Sequence, residues 1–379
     1  MNASEQIVVV GGGVLGLLTA VACAAAGSAV TVLERGPLPN PEASSHDQQR
    51  IVRALHHDDP EATRRGVLAR RAWGELETLL GERLYHPTGV LSVLRPAQVP
   101  FARTALADAG GRGELLDPAE PARRWPHLRF PAGAAGLLEP EAGVVLAERA
   151  LAALTNWLRA QPRVTLRPHH EVTAVDPAAG TVSLADGATL RGRIVLTAGA
   201  WSRPLLPAAV AGELRLRRQT MLYCDVPAER RAAWASTPVV LSLDPEAGTW
   251  LVPPVAGTQL KLSASTACRA VPELADHAAP ARWRAHLSEL FAGQIAGFGP
   301  DWVAAARDCY YLEDAASGGA REVALGQGPA TVWSHAACGG GAFKFAPLIA
   351  RSLAARVAPG APAAPPAFAA AGSAKELDD

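Results

Sequence analysis

The stretch Ile7-Val8-Val9-Val10-Gly11-Gly12-Gly13-Val14-Leu15-Gly16 decides how this chain is read. Four β-branched residues in a row suit a strand buried on both faces. Gly11, Gly13 and Gly16 then complete a G-x-G-x-x-G turn. The Ala-rich run that follows predicts a helix to Ala26, closed by Gly27. Ala29 to Leu33 reads as a second buried strand, and Glu34 stands 18 residues after Gly16. Strand, glycine turn, helix, strand and acid make up a dinucleotide-binding unit. Gly11 permits the tight turn, Gly13 lets a pyrophosphate reach the backbone, and Gly16 lets helix and strand pack closely. The helix N-terminus offers unbonded N–H groups to phosphate, and Glu34 is placed to accept from a ribose hydroxyl. Val14, Leu15 and Arg35 flank these positions and are expected at the same site. The motif by itself does not separate NAD from FAD.

Composition limits what surrounds this unit. At about 150 residues per domain, 379 residues suit two to three domains or one large α/β enzyme with an inserted region. Lys plus Arg equals Asp plus Glu at 36 each, which is not the basic footprint of a nucleic-acid binder. No polybasic run is present to hold an anionic membrane. The apolar stretch Val14 to Ala26 falls short of the roughly 20 residues a membrane span needs, and Glu5 precedes it where a signal peptide carries Lys or Arg. Five cysteines without a C-x-x-C pair fit a reducing cytoplasm better than a disulfide framework or a zinc centre. No metal site is expected. Only three of the 36 basic residues are lysine, namely Lys261, Lys344 and Lys375, so a lysine kept here is expected to need a compact ammonium.

Further along, Arg64 to Leu80 and Ala147 to Arg159 read as helices. Gly89 to Leu94, Val164 to Leu166, Thr181 to Leu184, Arg193 to Thr197 and Thr331 to Ser334 read as strands, and a last helix runs through Arg356. The expected organisation is α/β: a Rossmann-like domain from residues 1–85, 140–214 and 302–357, and a mostly antiparallel-sheet substrate domain from 86–139 and 215–301. The Ala/Pro-rich segment 358–379 reads as a disordered tail. His56-His57-Asp58-Asp59 and His169-His170 read as solvated turns, because adjacent ligands do not converge easily on one ion. No G-x-S-x-G is present to anchor a hydrolase triad.

Four segments, taken together, resemble the monomeric sarcosine oxidase group of the D-amino-acid-oxidase-like flavoproteins. They are the N-terminal fingerprint, the stretch Ser44-Ser45-His46-Asp47-Gln48-Gln49-Arg50-Ile51-Val52-Arg53, the mid-chain run ending in Thr197-Ala198-Gly199-Ala200-Trp201, and Cys309 followed 35 residues later by Lys344 in Gly340-Gly341-Ala342-Phe343-Lys344. The resemblance spans nearly the whole chain. It implies an FAD-dependent enzyme that oxidises the C–N bond of an amino acid or a carboxylated secondary amine, open-chain or cyclic, to an imine, with dioxygen reduced to hydrogen peroxide. A monomer is expected, with a small-molecule amine or amino acid and dioxygen as its partners.

The resemblance also implies roles. Cys309 would carry FAD covalently. Arg53 and Lys344 would hold a substrate carboxylate, with Trp250 and Ser265 shaping the pocket. Lys261 would help dioxygen react, with His46 and Arg50 near the flavin ring. Ser44, Ser45, Val172, Ala198, Gly199, Trp201, Gly340, Gly341 and Phe343 would complete the cofactor site. The chain departs from the family pattern at Gly341, Trp250 and Ser265, where His, Tyr and His are usual. A flavin dehydrogenase of the same fold, a flavin-binding subunit without turnover and an NAD-binding protein are the rival readings.

Overall fold

In the computed structural model, the fingerprint forms the strand Gln6–Val10, the helix Val14–Ala25 and the strand Ala29–Leu33. The structure describes residues 6–326, 332–358 and 360–361. Thr331, Lys375 and most of the expected tail lie outside the described residues.

Gln6–Val10 is the centre of a six-stranded sheet, with Ala29–Leu33 and Val164–Arg167 on one side and Arg193–Leu196, Val332–Cys338 and Ala320–Leu325 on the other. All neighbours pair in parallel except the edge strand Ala320–Leu325. Strands buried on both faces explain the unbroken apolar run at residues 7–10. One face packs on the helices Val14–Ala25 and Ala342–Val357, and Leu17, Val21, Ile349 and Leu353 are among its buried residues. The other face packs on a small antiparallel sheet, Val172–Asp176, Thr181–Leu184 and Thr189–Arg191.

A second large sheet has nine strands and is mostly antiparallel, and its residues Gln219, Met221, Trp250, Lys261 and Cys309 line a cavity shared with the glycine turn. Its longest ladder joins Leu214–Cys224 to Val303–Asp314, and its register sets Gln219 against Cys309. Leu260–Ala264 pairs on the far side of Leu214–Cys224 and brings Lys261 opposite Tyr223. Val303–Asp314 thus pairs wholly within this sheet, although it follows the expected domain boundary at residue 302.

The helix expected from Arg64 begins earlier, at Pro60. Asp59 caps it by accepting from the Ala62 N–H at 2.8 Å, and proline fits its first turn. Among the described residues, no helix is long and apolar enough to cross a membrane.

Candidate active site

The turn after Gln6–Val10 opens onto a cavity of about 690 Å³, within the usual range for a small-molecule or cofactor site. Gly11 has φ +100°, and a side chain there would meet the Thr197 carbonyl oxygen at 2.6 Å. A Cβ on Gly16 would lie 1.9 Å from the Gly11 oxygen. Gly16 does not line the cavity; it lets helix and strand touch. Gly13, Val14 and Leu15 do line it, and Gly13 has no side chain to cap the helix, so the first-turn N–H groups other than that of Val14 are left without a capping side chain at the cavity wall.

Glu34 is buried at the end of the second strand. Its carboxylate accepts from the Gly12 N–H at 2.7 Å and from the Gly36 N–H and Asn40 Nδ2, each at 2.9 Å. Three donors on a group with about four acceptor sites fix its direction and leave room for a hydroxyl. Ser45 Oγ accepts from the Val14 N–H at 3.1 Å, and Arg35 lies 5.0 Å from the Trp201 ring centre. Val172, Ala198, Gly199, Ser44, Gly340, Gly341 and Phe343 line the same cavity.

Two lysines approach this space from opposite elements. Lys261 is 2% exposed and is ion-paired to Asp47, itself 3% exposed. Asp47 also accepts from Tyr223 Oη at 2.9 Å and the Gln48 N–H at 2.7 Å, and Arg50 lies 3.3 Å from it. Burial alone would raise the Asp47 carboxyl, but the facing Lys261 and Arg50 cations outweigh it and hold the group below the usual carboxylate range. Lys261 Nζ also donates to the Gln49 carbonyl at 3.3 Å and stands 5.6 Å from the Trp250 ring centre. Arg50 reaches to 4.0 Å from Cys309 Sγ, which sits on the cavity wall. Cys338, the other cavity-lining cysteine, is pushed up to about 11 by burial.

Lys344 lies in the first turn of Ala342–Val357, where the positive end of the helix dipole opposes a further cation. Trp73 stacks on Phe343 at 5.4 Å and donates to the Lys344 carbonyl at 3.0 Å, which fixes this turn. Burial first, then the Arg53 guanidinium, holds the Lys344 amine well below the ordinary lysine value. Arg53 lines the cavity beside it. Among the described residues, neither cation has a carboxylate side chain within ion-pair distance. Glu139 is the nearby buried acid, but its oxygens accept from the Ala54 N–H at 2.9 Å and from the Leu55 N–H at 3.1 and 3.2 Å.

The structure thus brings Lys261, Arg50, Arg53, Lys344, Trp250 and Cys309 around one cavity with the glycine turn. Besides Gly16, two expected residues do not line this cavity. His46 faces Glu148, 3.6 Å away, on the wall of a second hollow of about 20 Å³ that Arg50 and Cys309 share. Ser265 is exposed in the turn Ser265–Ala267 and bonded to the Gly248 carbonyl, because the strand stops at Ala264. The expectation that His56 belongs to a solvated turn is corrected as well. His56 bonds Lys344 Nζ at 2.7 Å and stacks on Phe345. Its only sequence signal was its place three residues after Arg53. Among the described residues, no three His, Cys, Asp or Glu side chains gather as a metal site.

Comparison with known proteins settles the family, because residues 6–356 match DAO, the FAD dependent oxidoreductase family. The chain belongs to the DAO family. Among curated DAO-like relatives, human peroxisomal sarcosine oxidase is 30% identical over 220 residues, 57% of this chain and 56% of that protein. N-methyl-L-tryptophan oxidase of Salmonella arizonae is 26% identical over 214 residues, 53% of this chain and 55% of that protein. The aligned part is thus little more than half the length of these relatives. Among solved structures, Amadoriase I from Aspergillus fumigatus superposes with a TM-score of 0.76 at 22% identity, covering 94% of this chain and 87% of that one. L-proline dehydrogenase from P. horikoshii gives 0.77 at 17%, covering 96% and 95%. These likenesses show the fold. The family's cofactor is FAD, and the glycine cradle, the oriented Glu34 and the helix start fit its ribose and pyrophosphate.

Proposed function

We propose that the chain is an FAD-dependent oxidase of the C–N bond of an amino acid or carboxylated secondary amine. The observation that carries this reading is the pair of half-buried cations, Arg53 and Lys344, lining the cofactor cavity without a carboxylate partner among the described residues. Such a pair suits a ligand carboxylate, with the planar guanidinium able to bind both oxygens. The relatives named for sarcosine and N-methyl-L-tryptophan support the substrate class.

FAD, when bound, supplies the two-electron acceptor. The chain's own residues do the rest. Arg53 and Lys344 hold the carboxylate and so fix the reacting carbon. Trp250, Leu241 and Val252 line the remaining wall with apolar surface. The amine carbon and nitrogen give up two electrons and two protons to leave an imine, and dioxygen takes them up as hydrogen peroxide. Lys261 stabilises the negative charge that develops on dioxygen. Cys309, with Arg50 4.0 Å from its sulfur, would anchor the cofactor through a thioether.

A preference for carboxylated substrates tests this reading. Arg53→Ala should lower kcat/KM for the amino acid by the equivalent of about 2–5 kcal/mol, as when one member of a buried charge pair is removed. Wild-type enzyme that turns over the decarboxylated amine equally well would overturn it. The Asp47–Lys261 pair favours a second reading, a dehydrogenase with a non-oxygen acceptor, because the carboxylate cancels part of the ammonium's field. Stopped-flow mixing of reduced enzyme with dioxygen separates the two.

A further inference from the structure

His56 sits in the connection between the strand Arg50–Val52 and the helix Pro60–Leu80. Its backbone is tied at both ends: the His56 N–H donates to Thr63 Oγ1 at 3.0 Å, and the His56 carbonyl accepts from Thr63 Oγ1 at 3.1 Å. Its ring stacks on Phe345 at 5.9 Å and 27°. Nδ1 lies 2.9 Å from the Ala54 carbonyl oxygen, which accepts only, so Nδ1 carries the hydrogen. That leaves a lone pair on Nε2, and Lys344 Nζ is 2.7 Å from it. The lysine nitrogen is therefore the donor. Burial, then the Lys344 and Arg53 charges, keeps the His56 ring well below its ordinary value, so the ring is neutral.

The bond matters because Lys344 has no other polar side-chain partner among the described residues. A lysine has four rotatable bonds and a single point charge, and it aims only as well as its surroundings fix it. One hydrogen goes to His56, and the other hydrogens of Nζ are left for a ligand in the cavity that Arg53 also lines.

We propose that His56 is a positioning residue whose Nε2 lone pair fixes Lys344 Nζ beside Arg53, so that the two cations form a preset two-point site for a carboxylate. The proposal rests on the carboxylate role given above to Arg53 and Lys344. It adds that the recognition unit has three residues, and that its third member must be a neutral acceptor. A leucine cannot supply that acceptor. A glutamine can, because its Oε1 reaches about as far as the imidazole Nε2.

The test uses holoenzyme titrated with acetate, read by perturbation of the visible flavin spectrum, with acetamide as the uncharged control. Wild type should bind acetate and not acetamide. His56→Leu should weaken acetate binding by about tenfold or more, the equivalent of about 1.4 kcal/mol. His56→Gln should stay within about threefold of wild type. The same ranking should appear in KM for the amino-acid substrate, with kcat moving less. Equal acetate affinity in wild type and His56→Leu would overturn the proposal, as would equal loss in the Leu and Gln variants. If His56→Leu does not fold, the wild type still decides. Nitrogen-15 spectra of its histidine rings assign the His56 ring as the signal that disappears in His56→Gln, and that ring should be protonated at Nδ1 and bare at Nε2. A His56 ring protonated at Nε2 would overturn the proposal. If wild type binds acetate and acetamide alike, the carboxylate reading itself falls, while the tautomer still reports on the His56–Lys344 bond.

Discussion

Replacing Lys261 with methionine keeps the length of the side chain and removes its charge, which strands Asp47. Asp47 is 3% exposed, so its carboxylate cannot turn to water. Removing one partner of a buried ion pair costs about 3–5 kcal/mol. Here the low end is expected, because Arg50 at 3.3 Å, Tyr223 Oη at 2.9 Å and the Gln48 N–H at 2.7 Å remain on the carboxylate. The second change, Asp47→Asn, removes the stranded charge. The double variant should recover about 2 kcal/mol, since a neutral replacement for a buried pair is often nearly neutral in stability. Urea unfolding of cofactor-free protein at neutral pH measures both. The pH dependence has a definite sign. Asp47 is held below the usual carboxylate range by Lys261 and Arg50. Its contribution is therefore present above about pH 4, the unfolded value, and is lost as pH falls through the folded one. The gap between wild type and Lys261→Met should narrow in acid. A double variant no more stable than the single one would refute the reasoning. The same methionine variant should slow reoxidation of the reduced enzyme by dioxygen by about 10²-fold, the scale for losing one preset charge-stabilising group. Reduction by substrate should change far less, and an unchanged reoxidation rate would remove Lys261 from the oxygen step.

Two other perturbations probe separate parts of the site. Wild-type protein precipitated with acid should stay yellow, and Cys309→Ala should release its flavin to the supernatant; free flavin from wild type would contradict the thioether. Carboxylate binding should weaken as pH rises, because burial and Arg53 hold Lys344 well below the ordinary lysine value and a bound anion raises it again, so the complex holds more protons than the free site. Acetate affinity measured across the alkaline range in several buffers checks this, and affinity independent of pH, with no proton uptake, would refute it.

The cofactor half of the molecule was legible because each part of the fingerprint has a local cause. Four β-branched residues make a buried strand, and only glycine tolerates φ +100° at Gly11 against the Thr197 carbonyl. A parallel neighbour is marked by the same apolar texture at residues 194–196. What the sequence hid is long-range pairing. Asp47 meets Lys261 across 214 residues, and His56 meets Lys344 across 288. In one dimension His56 belongs to a polar run before a proline, and nothing local marks it as half-buried against Phe345. His46 and Ser265 were expected at the site by position along motifs. The chain turns after Ala264, which leaves Ser265 exposed, and His46 ends up facing Glu148.

The central claim, that this cavity couples a flavin to the oxidation of a carboxylated amine, is tested most directly by one spectrum. Purified holoenzyme is mixed without oxygen with sarcosine, other N-methyl amino acids and cyclic amino acids in turn, and the visible absorption is followed. The account predicts a flavin spectrum that is bleached by at least one carboxylated amine, is unaffected by its decarboxylated counterpart, and returns on admission of air. A protein without flavin absorption, or a flavin bleached equally by the amine lacking a carboxylate, would contradict it.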